Sequence, residues 1–120
     1  MRYLVIAALG ALGSPAVADG WSLRIGDTAL TASEAQVLTT DSTLTYYDDG
    51  QSRYYADGRY AWVYSAENGG ASIPGRFEVR DDGAVCVEFD SGRARCDLFV
   101  RAGGRLVLIT EAGDRFPVRN

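Results

Sequence analysis

The chain has 120 residues, with 16 acidic side chains against 12 basic ones, all of them arginine, and a formal net charge of −4. That balance argues against nucleic acid or anionic lipid as a partner, because such binding rests on a basic face that neutralises phosphates. Histidine is absent as well, which removes Ser-His-Asp, Cys-His and histidine-ligated metal chemistry.

The chain opens with Met1-Arg2, an apolar run over residues 3–12, then Gly13-Ser14-Pro15 and the small-residue tripeptide Ala16-Val17-Ala18. This order predicts a secretory signal peptide over residues 1–18, and its apolar run is far shorter than the roughly 18 residues a membrane-spanning helix needs. The expectation is therefore a periplasmic or secreted protein with no membrane span after signal removal. Residues 19–120 are enough for one domain with a modest single core.

Thr31-Ala32-Ser33-Glu34 reads as a capping box, followed by a helix over residues 32–38. A helix of two turns is stable only when packed on something, so it is expected to plug one end of a sheet. Beyond it, turn signals recur at Asp48-Asp49-Gly50, Ala56-Asp57-Gly58, Asn68-Gly69-Gly70, Asp81-Asp82-Gly83, Asp90-Ser91-Gly92, Ala102-Gly103-Gly104 and Ala112-Gly113-Asp114. Turns at this spacing, with β-branched and aromatic residues between them, predict a mainly all-β fold. It would be a single antiparallel meander of about 7–8 strands forming a small barrel or strongly curved sheet, with one short N-terminal helix.

If residues 48–50 and 56–58 are loops, Leu44, Tyr46, Tyr54, Tyr60, Trp62 and Tyr64 fall on one face, with Ser52 as the exception among them. Thr43, Thr45, Tyr47, Gln51, Arg53, Tyr55, Arg59, Ala61 and Val63 fall on the other, the inside-outside alternation of an antiparallel sheet. The ladder Tyr46, Tyr54, Tyr60, Trp62 and Tyr64 has two readings, a buried core or a stacking platform for a ligand.

Cys86 and Cys96 are the only cysteines, and in an exported chain an even count predicts a disulfide. Closing the hairpin on Asp90-Ser91-Gly92 places the two opposite one another, within disulfide reach. The same hairpin leaves one difficulty: Val85, Val87 and Phe89 share a face with Arg93, Arg95 and Asp97, and a charged pair inside is costly. The strand over residues 105–110 is apolar on both faces, so it is expected to be covered on both.

The segments Tyr54-Tyr55-Ala56-Asp57-Gly58-Arg59, Gly75-Arg76-Phe77 and Asp82-Gly83-Ala84-Val85-Cys86 with Cys96, preceded by a short helix, resemble a group of small secreted proteobacterial β-domain proteins of unknown function. The resemblance spans about three quarters of the chain, with Phe77 where the group often has tryptophan. It implies an exported, non-catalytic β fold and brings no catalytic residues.

The function these readings favour is a non-catalytic binding or envelope-accessory module, whose partner is a protein or small ligand in the cell envelope. Loops on a rigid scaffold are where recognition usually sits. The alternative is a periplasmic inhibitor of a secreted enzyme such as lysozyme, with the loop Ser91, Gly92, Arg93 and Arg95 presenting arginine to an acidic cleft. No catalytic residue, cofactor or metal is expected. Glu88 with Asp90 reads as turn carboxylates, and Asp48-Asp49 and Asp81-Asp82 lack the alternating oxygens of a calcium loop.

Overall fold

The computed structural model describes residues 20–119, so the predicted signal peptide lies outside the described residues. The fold is mainly β, a curled half-barrel of nine antiparallel strands with one short helix. The strands are β1 (Asp27–Ala29), β2 (Ser42–Thr45), β3 (Gln51–Tyr54), β4 (Arg59–Val63), β5 (Ser72–Val79), β6 (Val85–Phe89), β7 (Ala94–Ala102), β8 (Arg105–Thr110) and β9 (Arg115–Pro117), and the helix is α1 (Ala32–Leu38).

Strands β2 to β9 pair in chain order as a meander, the eight strands that seven turns imply. The ninth, β1, is not marked by any turn signal. It pairs with the C-terminal half of β7, Ala29 opposite Val100, and so prolongs the lane that β6 occupies beside the first half. The two ends of the sheet meet through a bridge between Tyr46 and Val118, with Arg119 N–H donating to the Thr45 carbonyl at 2.7 Å.

The capping box forms as read. Thr31 Oγ1 accepts from the Glu34 amide at 3.2 Å, and Glu34 Oε1 accepts from the Thr31 amide at 2.9 Å. Leu30 and Ala35, on either side of the cap, are both buried in the interior of the half-barrel, so α1 plugs it at one end. The β5–β6 turn lies against the start of that helix: a Cβ on Gly83, whose φ is +90°, would come within 2.5 Å of the Leu30 carbonyl. Only glycine satisfies both demands at that position.

Three short turns differ from their sequence reading: between β7 and β8 only Gly103 and Gly104 turn, with Ala102 paired to Arg105. The first hairpin bends over residues 47–49 and pairs Thr45 with Gln51, and the last bends over residues 111–113, with Thr110 facing Asp114. In the first, Asp49 and not Gly50 takes the positive φ, +67°. Gly50 has a different task, because a Cβ there would lie 2.8 Å from the Trp62 ring. In the first and last hairpins the pairing sum moves by two, so every side chain there keeps its face.

Odd and even positions sort as expected. Leu44, Tyr46, Tyr54, Tyr60, Val85, Val87, Phe99, Leu108 and Val118 are buried inside, with Phe77, Val79, Phe89 and Phe116 packed against them. A second, smaller core lies on the convex face of β7 and β8, where Trp21, Leu23 and Ala29 cover Leu98, Val100, Val107 and Ile109. The chain preceding α1 therefore explains why β8 is apolar on both faces. Asp27 fastens this cover: its carboxylate takes two 2.9 Å hydrogen bonds from Arg115 of β9 and one from the Arg24 amide.

Candidate functional site

Strict antiparallel succession puts the turns at 56–58, 81–83 and 103–104 at the end plugged by α1, and those at 47–49, 64–71, 90–92 and 111–113 at the other. The open end holds the charged pair that sequence reasoning could not place. Alternation along β7 turns both Arg95 and Asp97 inward with Phe99. Asp97 is 1% exposed, and Arg95 Nε donates to both of its carboxylate oxygens, at 3.2 and 3.1 Å.

The pair is tied to β3 and β4. Arg95 Nη2 donates to Tyr60 Oη at 3.2 Å, Tyr60 Oη lies 3.0 Å from Ser52 Oγ, and Ser52 Oγ lies 2.9 Å from Tyr46 Oη. Ser52, the polar exception on an aromatic face, is thus the hub through which two buried phenols are satisfied. A third buried phenol, Tyr54, has no hydrogen-bond partner among the described residues. Burial pushes all three of these tyrosine hydroxyls above their ordinary value, so the three phenols are uncharged at neutral pH. Burial also pushes the Asp97 carboxyl up, and the Arg95 guanidinium pulls against it.

Arg95 is a third exposed. Its guanidinium carbon lies 5.8 Å from the centre of the Trp62 ring and 5.6 Å from that of Phe89, within cation–π range of both. Trp62 and Tyr64, two apart on and just after β4, stand at 88° with centroids 6.0 Å apart and form a corner above the cation. Two cavities share Trp62, Tyr64 and Arg95. One, of about 290 Å³, adds Ile73, Phe89, Ser91 and Arg93. The other, of about 460 Å³, adds Asp48, Gly50, Asn68, Phe116 and Ser65, whose buried hydroxyl has no partner among the described residues.

A larger depression of about 550 Å³ surrounds the Cys86–Cys96 bridge. There Arg76 and Arg80 stand among Glu78, Glu88 and Glu111, and Glu111 is occupied in accepting from the Cys96 amide. Its charges are of both signs and it has no aromatic corner, so the open-end cleft is the stronger candidate site.

The residues singled out from sequence divide. Tyr46, Tyr54 and Tyr60 are at most 2% exposed and belong to the core. Trp62 and Tyr64 line the cleft, as do Ser91, Arg93 and Arg95, and Gly92 supplies the positive φ of their turn. Cys86 and Cys96 face one another in register and are bonded. Ile73, Ser65, Asn68 and Phe116 were not legible as site residues. The irregular stretch over residues 64–71, with a 3-10 turn at Ala66–Asn68, hides the β4–β5 register that brings Ile73 opposite Trp62. Among the described residues, no group of three or more acidic or cysteine side chains is placed to hold a metal ion.

Compared with protein-family models, curated proteins and solved structures, the chain matches none.

Proposed function

We propose that this chain is a non-catalytic binding module of the cell envelope, periplasmic or secreted, which holds a small ligand in the cleft at the open end of its half-barrel. One observation carries the reading: a partly exposed arginine, held from below by a buried carboxylate and a phenol, sits under a perpendicular pair of aromatic rings that two cavities share. Side chains locked by packing and by a second layer of hydrogen bonds present a recognition surface at little entropic cost. The disulfide fits an oxidising compartment. None of the described helices is long and apolar enough to cross a membrane.

Trp62 is a built-in reporter. In a Trp21→Phe variant, which leaves Trp62 as the sole indole in the described domain, emission is followed against a panel of small aromatic compounds, sugars and lipid fragments. Saturable quenching or a spectral shift with one class supports the reading. No response to any class at millimolar concentration refutes it.

A second reading, inhibition of a secreted hydrolase such as lysozyme, draws on the exposure of Ser91, Gly92 and Arg93 at the tip of the β6–β7 hairpin. Lysozyme turnover that stays unchanged at excess protein disposes of it for that enzyme.

A further inference from the structure

The open-end cleft has a charge character that points to the class of its ligand. We propose that it selects a small aromatic oxyanion, with a carboxylate or phosphate set on Arg95 and Arg93 and a flat ring laid into the corner of Trp62, Tyr64 and Phe89. This rests on the binding reading above and narrows it.

Charge is the first argument. Among the described residues, Arg93 and Arg95 are the only ionisable groups lining the smaller cavity apart from the phenol of Tyr64, and none of them brings an acidic side chain to it. The protein as a whole is acidic, so two arginines together in a recess stand against the general trend. Asp97 offsets one of these charges but lies beneath the guanidinium, 1% exposed, and cannot itself meet a ligand.

Donor geometry is the second. The bonds from Arg95 to Asp97 and Tyr60 use Nε and one hydrogen of Nη2, and Nη1 takes part in neither. A guanidinium has five N–H donors in a planar fork that suits an oxyanion. Anchoring the Nε side orients the opposite edge of the fork for a bidentate contact. Arg93, exposed on the turn beside it, adds a second cation at the rim.

Shape is the third. The rest of the smaller cavity is aromatic and aliphatic, with Trp62, Tyr64, Phe89 and Ile73, and its volume of about 290 Å³ lies at the lower edge of the ~300–1,000 Å³ typical of small-molecule sites. That space suits one or two fused rings. In the adjoining cavity, which Asp48 also lines, the Ser65 hydroxyl, 7% exposed and without a hydrogen-bond partner among the described residues, can hydrogen-bond a polar substituent.

The test is calorimetric titration of the full domain with matched probes. These are 2-naphthoate and 2-naphthyl phosphate, the uncharged 2-naphthamide, and acetate, which lacks the ring. The naphthyl anions are expected to bind at least about tenfold more tightly than the amide, a difference of 1.4 kcal/mol, with acetate undetectable. Whichever anion binds more tightly identifies the headgroup. Arg93→Gln, a surface change that leaves the buried network intact, should erase part of that preference while leaving amide binding unaltered. Raising salt should weaken the anions alone. Equal affinity for naphthoate, phosphate and amide overturns the oxyanion assignment but leaves the binding reading standing. Failure of all four probes, together with a silent Trp62 across the wider panel, overturns both.

Discussion

Replacing Arg95 by methionine isolates the energetics of the buried pair. Methionine keeps an apolar stem of similar length against Trp62 and Phe89, but it leaves the Asp97 carboxylate, 1% exposed, without the two hydrogen bonds and the cation that compensate it. Removing one partner of a buried ion pair costs about 3–5 kcal/mol. That is a large fraction of the roughly 5–15 kcal/mol by which a domain is stable. The cost must depend on pH. Burial already raises the Asp97 pKa in the folded protein, with Arg95 opposing it. Once Arg95 is gone the upward push is unopposed. A group with a raised folded-state pKa contributes fully below its unfolded pKa of about 3.9, and that contribution is lost as pH rises through the folded value. Urea unfolding followed by tryptophan emission should therefore show a deficit of about 3–5 kcal/mol for Arg95→Met at pH 7, shrinking markedly by pH 4. The double variant Arg95→Met, Asp97→Leu should recover most of the loss at pH 7, because no buried charge is then left unpaired. An equal deficit at both pH values, or a double variant no better than the single one, refutes the account.

Three further outcomes follow from the same structure. Removing the bridge with Cys86→Ala and Cys96→Ala should lower stability by about 3 kcal/mol, from the chain entropy of its ten-residue separation, read as a fall in the urea midpoint at nearly constant slope. Tyr54→Phe deletes a buried hydroxyl that has no hydrogen-bond partner among the described residues and should be neutral or slightly stabilising, whereas Ser52→Ala strands the Tyr46 hydroxyl, leaves Tyr60 with only the bond it accepts from Arg95, and should cost about 1–3 kcal/mol. Thermal unfolding of both variants distinguishes the two. Asp27 has its pKa held below the ordinary 3.8, chiefly by hydrogen bonds from Arg115. It stabilises the fold above that value and loses this contribution as pH falls through its folded pKa. Asp27→Asn should therefore cost about 1–2 kcal/mol at neutral pH, a difference that shrinks only as pH falls below 3.8 toward the lower folded value, which an acid titration of the melting temperature checks.

Much of the site was within reach of sequence reasoning, and the part that was not has an identifiable cause. Trp62 and Tyr64 were singled out because period-2 alternation and short glycine turns tie parity to face without any tertiary information, whereas Arg93 and Arg95 were singled out as a loop for an acidic partner and not as neighbours of those rings. Parity says which side of the sheet a residue takes, but not how far along the barrel it lies. For that reason Tyr54 and Tyr60 looked equivalent to Trp62 and Tyr64, although register sets them nearer the α1 plug, while Tyr46, opposite Gly50 at the open end, is covered by the rings of Trp62 and Phe116 that pack against it.

What the sequence determined by itself is most of what local pairing governs: the capping box before α1, the succession of eight strands, the Cys86–Cys96 register and the inward face. Those depend on turn chemistry and on neighbours a few residues apart, where the pairing sum is set by loop length alone. What only the tertiary structure decided is everything that depends on curling the sheet. It brings Arg95 of β7 beneath Trp62 of β4 and within 3.2 Å of Tyr60. It lays residues 21–29 over the convex face of β7 and β8, and it joins Tyr46 to Val118 across the seam. The charged pair that is costly on a flat sheet becomes tolerable when curvature encloses it with the phenol and the aromatic rings that satisfy it, and curvature is a property of the whole sheet that no local run of residues encodes.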